Sequence, residues 1–324
     1  MLTSDFDYSL PDDLIASEPL PDRAASRMMV VHRDTGTIEH RQFSDLPSYS
    51  REGDLFILND TRVVPARFFS EDGSREILRL EALSPTRWRC MVKPGKRFRE
   101  GHTLTIGSAT GTVVAIAENG DRTLQFDQPV DVATHGHLPL PPYMNREDRE
   151  SDKERYQTVF AREEGSIAAP TAGLHFTPEI LAQIPHTFVT LHVGVGTFQP
   201  VKADRVEDHL MHSEHYTLTP QTAAQINAAQ RVIAVGTTAC RVLESVHRKH
   251  GSIQPDAGET DIFIYPPYTP GAVGALLTNF HLPKSSLIML VSALAGRDLI
   301  MRAYAEAIAQ RYRFYSYGDC MLIL

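Results

Sequence analysis

Apolar and polar positions change their rhythm twice along this chain. Short apolar runs at residues 28–31 and 55–58 read as strands, and the second ends in a polar turn, Asn59-Asp60-Thr61-Arg62. From about residue 63 to 132 apolar and polar residues alternate over short stretches, at 103–106, 111–117 and 123–126. Turn formers separate them: Pro94-Gly95, Gly107-Ser108 and Asn119-Gly120. Period-two text broken this often predicts an antiparallel barrel or sandwich, with almost no helix. A proline-rich stretch (137–143) and a charged run (145–155) then mark a boundary.

Beyond residue 156 strands alternate with helices. Apolar runs at 188–193, 231–235, 260–265 and 275–278 predict strands. Residues 222–230, 239–249, 283–294 and 297–311 carry helical periodicity. The expected fold class is α/β: a layered α/β domain of residues 1–62 plus 156–324, with an inserted antiparallel β-barrel domain at 63–155.

Composition narrows this picture only a little. A chain of 324 residues with 42% apolar and 22% charged residues is ordinary globular chemistry. The acidic start has no basic segment followed by an apolar one, and the longest apolar run (287–295) is too short to span a bilayer. Cys90, Cys240 and Cys320 are odd in number and far apart, which fits a reducing compartment. A cytoplasmic monomer with no membrane partner is expected. The net charge of −8 argues against a polyanion partner unless positive charge is local.

Local positive charge exists. Arg87, Arg89, Lys93, Lys96, Arg97 and Arg99 fall within thirteen residues without an acid among them, interleaved with Trp88 and Phe98. Such a stripe reads either as an RNA contact, with cations on phosphates and rings on bases, or as a solvated hairpin with Trp88 in the core.

Polar and small residues gather where strands end. The segment Ala169-Pro170-Thr171-Ala172-Gly173-Leu174-His175-Phe176 sets a threonine, a glycine and a histidine just before helix-like text. It is either a ligand turn with a proton-moving histidine or a plain turn with His175 in the core. Gly194, Gly196 and Thr197 close an apolar run, which suits a crevice at a strand tip but does not make a dinucleotide fingerprint. Gly236-Thr237-Thr238 lies between a strand and a helix, as an anion cradle or as a simple cap. Asn279-Phe280-His281 and Tyr315-Ser316-Tyr317 are further polar clusters, functional or structural. His209, His212 and His215 recur every third residue, and Glu207, Asp208 and Glu214 are carboxylates near them. On a helix three such histidines would not converge on one metal.

In order along the chain stand 59–63 (NDTRV), 169–176 (APTAGLHF), 192–198 (HVGVGTF), 209–214 (HLMHSE), 236–245 (GTTACRVLES), 260–266 (TDIFIYP), 277–284 (LTNFHLPK) and 312–323 (YRFYSYGDCMLI). Together they resemble the S-adenosylmethionine:tRNA ribosyltransferase-isomerase family of queuosine biosynthesis, from Asp5 to the C-terminus. His215 and Glu259 depart from that pattern, standing where the family often has tryptophan.

The resemblance implies a reaction. The ribosyl part of S-adenosylmethionine, a co-substrate, moves to 7-aminomethyl-7-deazaguanine at the wobble position of a tRNA and isomerises. Epoxyqueuosine forms, adenine and methionine leave, and no metal is expected. On this reading His175 or His281 moves protons, and Asp60 joins them as a catalytic candidate. Arg62, Thr171, Gly173, Gly194, Gly196, Thr197, Thr237, Thr238, Arg241 and Asn279 form the co-substrate crevice. The basic stripe becomes the tRNA platform. The competing readings are a non-catalytic RNA-binding module and a histidine-based metal hydrolase.

Overall fold

The structure is a computed structural model that describes residues 1–194, 196 and 201–324. The chain divides into two compact units: Met1–Arg62, Pro142–Arg146 and Glu154–Leu324 in one, Val63–Pro141 and Glu147–Lys153 in the other. The first boundary lies at 62/63. The return differs from a single crossing at 155/156, because residues 142–146 belong to the first unit, where Tyr143 meets Ser316.

The first unit is a nine-stranded mixed sheet. Its strands are β1 (Arg27–Val31), β2 (Ile38–Gln42), β3 (Asp54–Asn59), β4 (His186–Leu191), β5 (Glu214–Leu218), β6 (Arg231–Val235), β7 (Asp256–Thr260), β8 (Ala275–Asn279) and β9 (Cys320–Ile323). Their order is β7-β5-β4-β3-β6-β8-β9-β1-β2. The central four, β4, β3, β6 and β8, run parallel, so their carboxyl ends share one edge of the sheet. β3 and β8 are buried along their whole length, which is why their sequences read as continuous apolar runs rather than alternation.

Period-two geometry sends neighbouring residues to opposite faces. Met29, Val31, Ile57, Ala234 and Leu276 pack in the core under α2 (Gly236–His250), α3 (Ser286–Ala295) and α4 (Arg297–Ala309). Met28, Val30, Leu58, Val235 and Leu277 pack with Phe43, Leu46, Phe176 and Ile180, from short helical turns on the other side. A further helix, α1 (Pro220–Ala228), starts at Thr219, whose hydroxyl accepts from the Thr222 N–H at 3.2 Å.

Two expectations fail here. The strand is Asp256–Thr260, not residues 260–265. An exposed edge strand needs no apolar face, so its sequence gives no alternation signal, while Ile262 and Ile264 enter the core from a loop. The histidine triplet is not on a helix either. His215 lies on β5, 3.3 Å from Glu259 across to β7, and His209 packs edge-on to Phe263. His215 and Glu259 are therefore cross-strand partners. Among the described residues no group of three or more His, Cys, Asp and Glu side chains converges.

The second unit is a six-stranded antiparallel, barrel-like sheet. Its strands, in sheet order, are Arg67–Phe69, Glu76–Ser84, Arg87–Lys93, Arg122–Phe126, Ala109–Ile116 and Thr103–Ile106. Strand alternation explains the basic stripe. Trp88 and Cys90 point into the core, where Trp88 packs on Phe68 and Phe126, while Arg87, Arg89 and Lys93 face out. All six cations are exposed, but Trp88 and Phe98 are fully buried. Their rings cannot stack on a base, so that part of the RNA reading is corrected: the stripe offers charge alone.

Candidate functional site

The carboxyl ends of the parallel strands open on a cavity. Its wall takes Thr171 from the helical turn Thr171–His175, Val193 from beyond β4 and Gly236, Thr237 and Thr238 from the start of α2. Thr278, Asn279 and His281 come from the end of β8, with Tyr143 and Ser316 from two loops. Loops at carboxyl strand ends are the ordinary ligand position of an open α/β sheet.

The simple-cap reading of Thr237 does not hold. α2 is capped by Val235, which has no side-chain acceptor to offer. Gly236 has φ +87°, a conformation that favours glycine, and turns the chain sharply into the helix. The N–H groups of the first turn lack intrahelical acceptors, and the helix dipole adds partial positive charge there. Thr238 Oγ is buried and has no hydrogen-bond partner among the described residues. A buried hydroxyl left unpaired costs about 1–3 kcal/mol, so a ligand atom in the cavity is its natural partner.

The two candidate histidines occupy different places. His281 lines the cavity, and its Nε2 is 2.8 Å from Thr278 Oγ1. Its backbone is fixed on both sides: the N–H donates to the Tyr304 hydroxyl at 3.0 Å, and the carbonyl accepts from Tyr8. The ring's Nδ1 has no protein partner among the described residues. His175 lies behind the wall. Asn279 Nδ2 donates to the carbonyls of Tyr315 (2.8 Å) and Ser316 (3.3 Å). Its Oδ1 therefore faces His175 Nε2 at 3.1 Å and accepts from it. That fixes the tautomer, leaving His175 Nδ1 to accept from Ser26 Oγ at 3.0 Å.

Burial lowers both imidazoles, His175 to about 4 and His281 to about 3. For His175 the cations Arg23, Arg313 and Arg155 push in the same direction. Both rings are neutral at physiological pH. In the unfolded chain each titrates near 6.5, so their stabilising contribution is full above that pH and is lost as pH falls toward the folded values. Between pH 6.5 and 5 the expected loss is about 2 kcal/mol per histidine. Urea unfolding at pH 7 and pH 5 checks it, with His281→Gln for comparison. An equal drop in wild type and variant would refute the assignment.

The remaining candidates divide. Thr171, Thr237, Thr238, Asn279 and His281 meet at the cavity. Gly173 packs beneath it, where a Cβ would come within 2.8 Å of Phe160 and Thr158. The Gly194 N–H donates to Glu214 Oε1 at 2.8 Å, and at Gly196 a Cβ would meet the His212 ring at 2.4 Å. Thr197 lies outside the described residues. Arg241 is not a free ligand-binding cation. It is buried, pairs with Glu214, and donates to the Ile262 carbonyl at 3.3 Å. Glu214 is thereby engaged too, and Glu207 pairs with the N-terminal amine at 2.6 Å.

Asp60 and Arg62 are elsewhere. Near the end of β4 side chains point two ways: Val193, just beyond it, reaches the cavity, whereas Thr190 of β4 and His192 line a separate polar groove with Asp60. There Asp60 accepts from Thr190 Oγ1 and Arg162 Nη2, each at 2.7 Å. Arg62 is exposed, 4.0 Å from Glu164. Both carried the polar turn after β3, but side-chain direction takes them away from the cavity. Tyr143, Thr278 and Ser285 were not singled out and do line it, together with Ser316 from the polar cluster at 315–317. The proline run before Tyr143 was read only as a boundary; its hydroxyl is in fact hydrogen-bonded to Ser316 Oγ.

An α/β sheet whose parallel strand tips surround a mostly apolar cavity with a few polar groups has the layout of a small-molecule site. Comparison with known proteins specifies it. The profile of the family described as queuosine biosynthesis protein matches residues 3–323, and the chain belongs to that family. It is 52% identical over 343 residues to the S-adenosylmethionine:tRNA ribosyltransferase-isomerase of Symbiobacterium thermophilum, with both chains covered in full. The protein of the same name from Solibacter usitatus is 49% identical over 356 residues, again with both covered in full. A crystal structure of S-adenosylmethionine tRNA ribosyltransferase from Thermotoga maritima is 38% identical and matches with a TM-score of 0.58. That match covers 99% of this chain and 100% of that one. No helix among the described residues is long and apolar enough to cross a membrane.

Proposed function

We propose that this enzyme transfers and isomerises the ribosyl group of S-adenosylmethionine onto 7-aminomethyl-7-deazaguanine at the wobble position of a cytoplasmic tRNA, releasing adenine and methionine. The relatives' names support the reaction class. The observation that carries the site is the unpaired, buried Thr238 hydroxyl at the uncapped start of α2, inside the cavity. Those donors suit the methionine carboxylate of the co-substrate.

The chemistry follows from the sulfonium. It acidifies the C5′ hydrogens, so a base can take one and leave an ylide. Its electrons form a C4′=C5′ double bond as the ribose C4′–O bond breaks, and the freed oxygen becomes a C1′ carbonyl as adenine leaves and takes a proton. The tRNA amine adds at C4′ and loses a proton, the resulting C5′ carbanion closes on the C1′ carbonyl, and the alkoxide so formed displaces methionine, which departs with the C–S electrons, to give the epoxide. His281 is the proton acceptor in this reading. It is neutral, its lone pair is available at any physiological pH, and Thr278 holds the ring. His175 acts through Asn279 as a positioning residue. Burial keeps the pocket dry.

Incubating the protein with S-adenosylmethionine and precursor-bearing tRNA, followed by nucleoside mass spectrometry, tests the reading; unchanged precursor would overturn it. The basic stripe is proposed as the RNA platform. Arg97→Glu with Arg99→Glu is expected to raise the KM for tRNA about tenfold or more at moderate salt. Unchanged tRNA binding at low salt would remove that role.

A further inference from the structure

A second recess lies against the cavity wall. Arg23 and Arg155 line it together with Ser26, His175 and Ser316. Ser316 also lines the cavity, and His175 is bonded to Asn279 of the cavity wall, so one layer of side chains separates the two. The guanidiniums here donate only to backbone carbonyls. Arg23 reaches Leu174 (3.1 Å) and Glu154 (2.9 Å), Arg155 reaches Leu20 (2.7 Å), and Arg313 nearby reaches Glu18. Arg313 Nη1 is buried with no acceptor at all.

Among the described residues none of the three forms an ion pair with a carboxylate. Asp22, in the recess wall, caps the Ala24 N–H at 2.9 Å. Asp319 accepts from the backbone N–H groups of Arg27 and Arg313. Half-buried guanidiniums with no carboxylate in direct contact are unfavourable, and a fork of N–H donors fits phosphate oxygens. In a chain of net charge −8 this concentration of cation is local, with Glu154 and Asp319 attracting Arg23 and Arg313 only at longer range.

We infer that the Arg23–Arg155 recess, backed by Arg313, binds one backbone phosphate of the RNA substrate next to the nucleotide whose base enters the cavity. The inference rests on the tRNA reading above. Its position one side chain from the cavity suits the chain flanking an inserted base. A bound phosphate also neutralises the cations that face His175 and supplies the missing acceptors.

The experiment measures binding of the anticodon stem-loop, without S-adenosylmethionine, against salt concentration. Arg23→Gln and Arg155→Gln are each expected to weaken binding about tenfold, and to reduce the slope of log Kd on log salt by about 0.7–0.9. S-adenosylmethionine affinity should stay unchanged. A loss of S-adenosylmethionine affinity instead, or an unaltered salt slope, would overturn the inference. Because a variant can fail to fold, a methylphosphonate scan on the wild-type protein stands beside it. One neutralised phosphate should cost about tenfold in wild type and add nothing in Arg155→Gln; if no single phosphate matters, the inference is lost. Wild-type turnover on tRNA is read separately, so failure of the reaction assignment is distinguishable from failure of the phosphate site.

Discussion

Replacing His281 by alanine should slow the single-turnover rate by about 10²–10⁴-fold, the usual worth of a positioned acid–base group. S-adenosylmethionine affinity should change little, because the carboxylate donors proposed at α2 are untouched. The argument is geometric before it is electrostatic. His281 is the candidate histidine that lines the cavity, and its Nδ1 is free of protein partners among the described residues. Its backbone is held by Tyr304 and Tyr8, so the substitution removes a ring without releasing the strand end. Burial keeps the ring neutral down to about pH 3, so the chemical step should show no ascending limb near pH 6.5 from this group. His175→Ala makes the contrast. It leaves Ser26 and Asn279 unpaired, which should cost about 1–3 kcal/mol of stability for each buried group and a smaller part of the rate. If His175→Ala abolishes the chemical step while His281→Ala leaves it intact, the roles are reversed.

The second large effect concerns stability. Arg241 looks in sequence like a carboxylate-binding cation, one helical turn after Gly236-Thr237-Thr238. In the fold it is buried against Glu214, whose other oxygen holds the Gly194 N–H at the end of β4. Removing one partner of a buried ion pair leaves an uncompensated charge. Arg241→Ala should therefore destabilise the protein by about 3–5 kcal/mol. Arg241→Met with Glu214→Leu should cost much less than the two single changes together, since the orphaned charges are gone. Denaturant melts of the four proteins measure this cycle. Unchanged stability in Arg241→Ala, with weakened S-adenosylmethionine binding, would return Arg241 to the ligand.

What was legible in the sequence follows from how local each signal is. The strand Arg231–Val235, the helix after it, the barrel strand Thr103–Ile106 and the helix from Arg297 all carry their periodicity within a few residues. β7 carried none, because an edge strand with exposed residues has no face to bury. The ordered motifs also brought Thr171, Thr237, Thr238, Asn279 and His281 forward as candidates, since small and polar residues at strand ends stand out against apolar runs.

The sequence by itself determined the α/β and barrel textures and the set of polar loops. Only the tertiary structure decided which of those loops meet. At the strand ends side chains turn to different sides, so Val193 reaches the cavity while His192 and Asp60 face another groove. Likewise a buried arginine's charge is assigned by its neighbour in space, Glu214, which stands on a different strand and leaves no mark in the local text. Direction and pairing arise from long-range packing, and no window of neighbouring residues contains them.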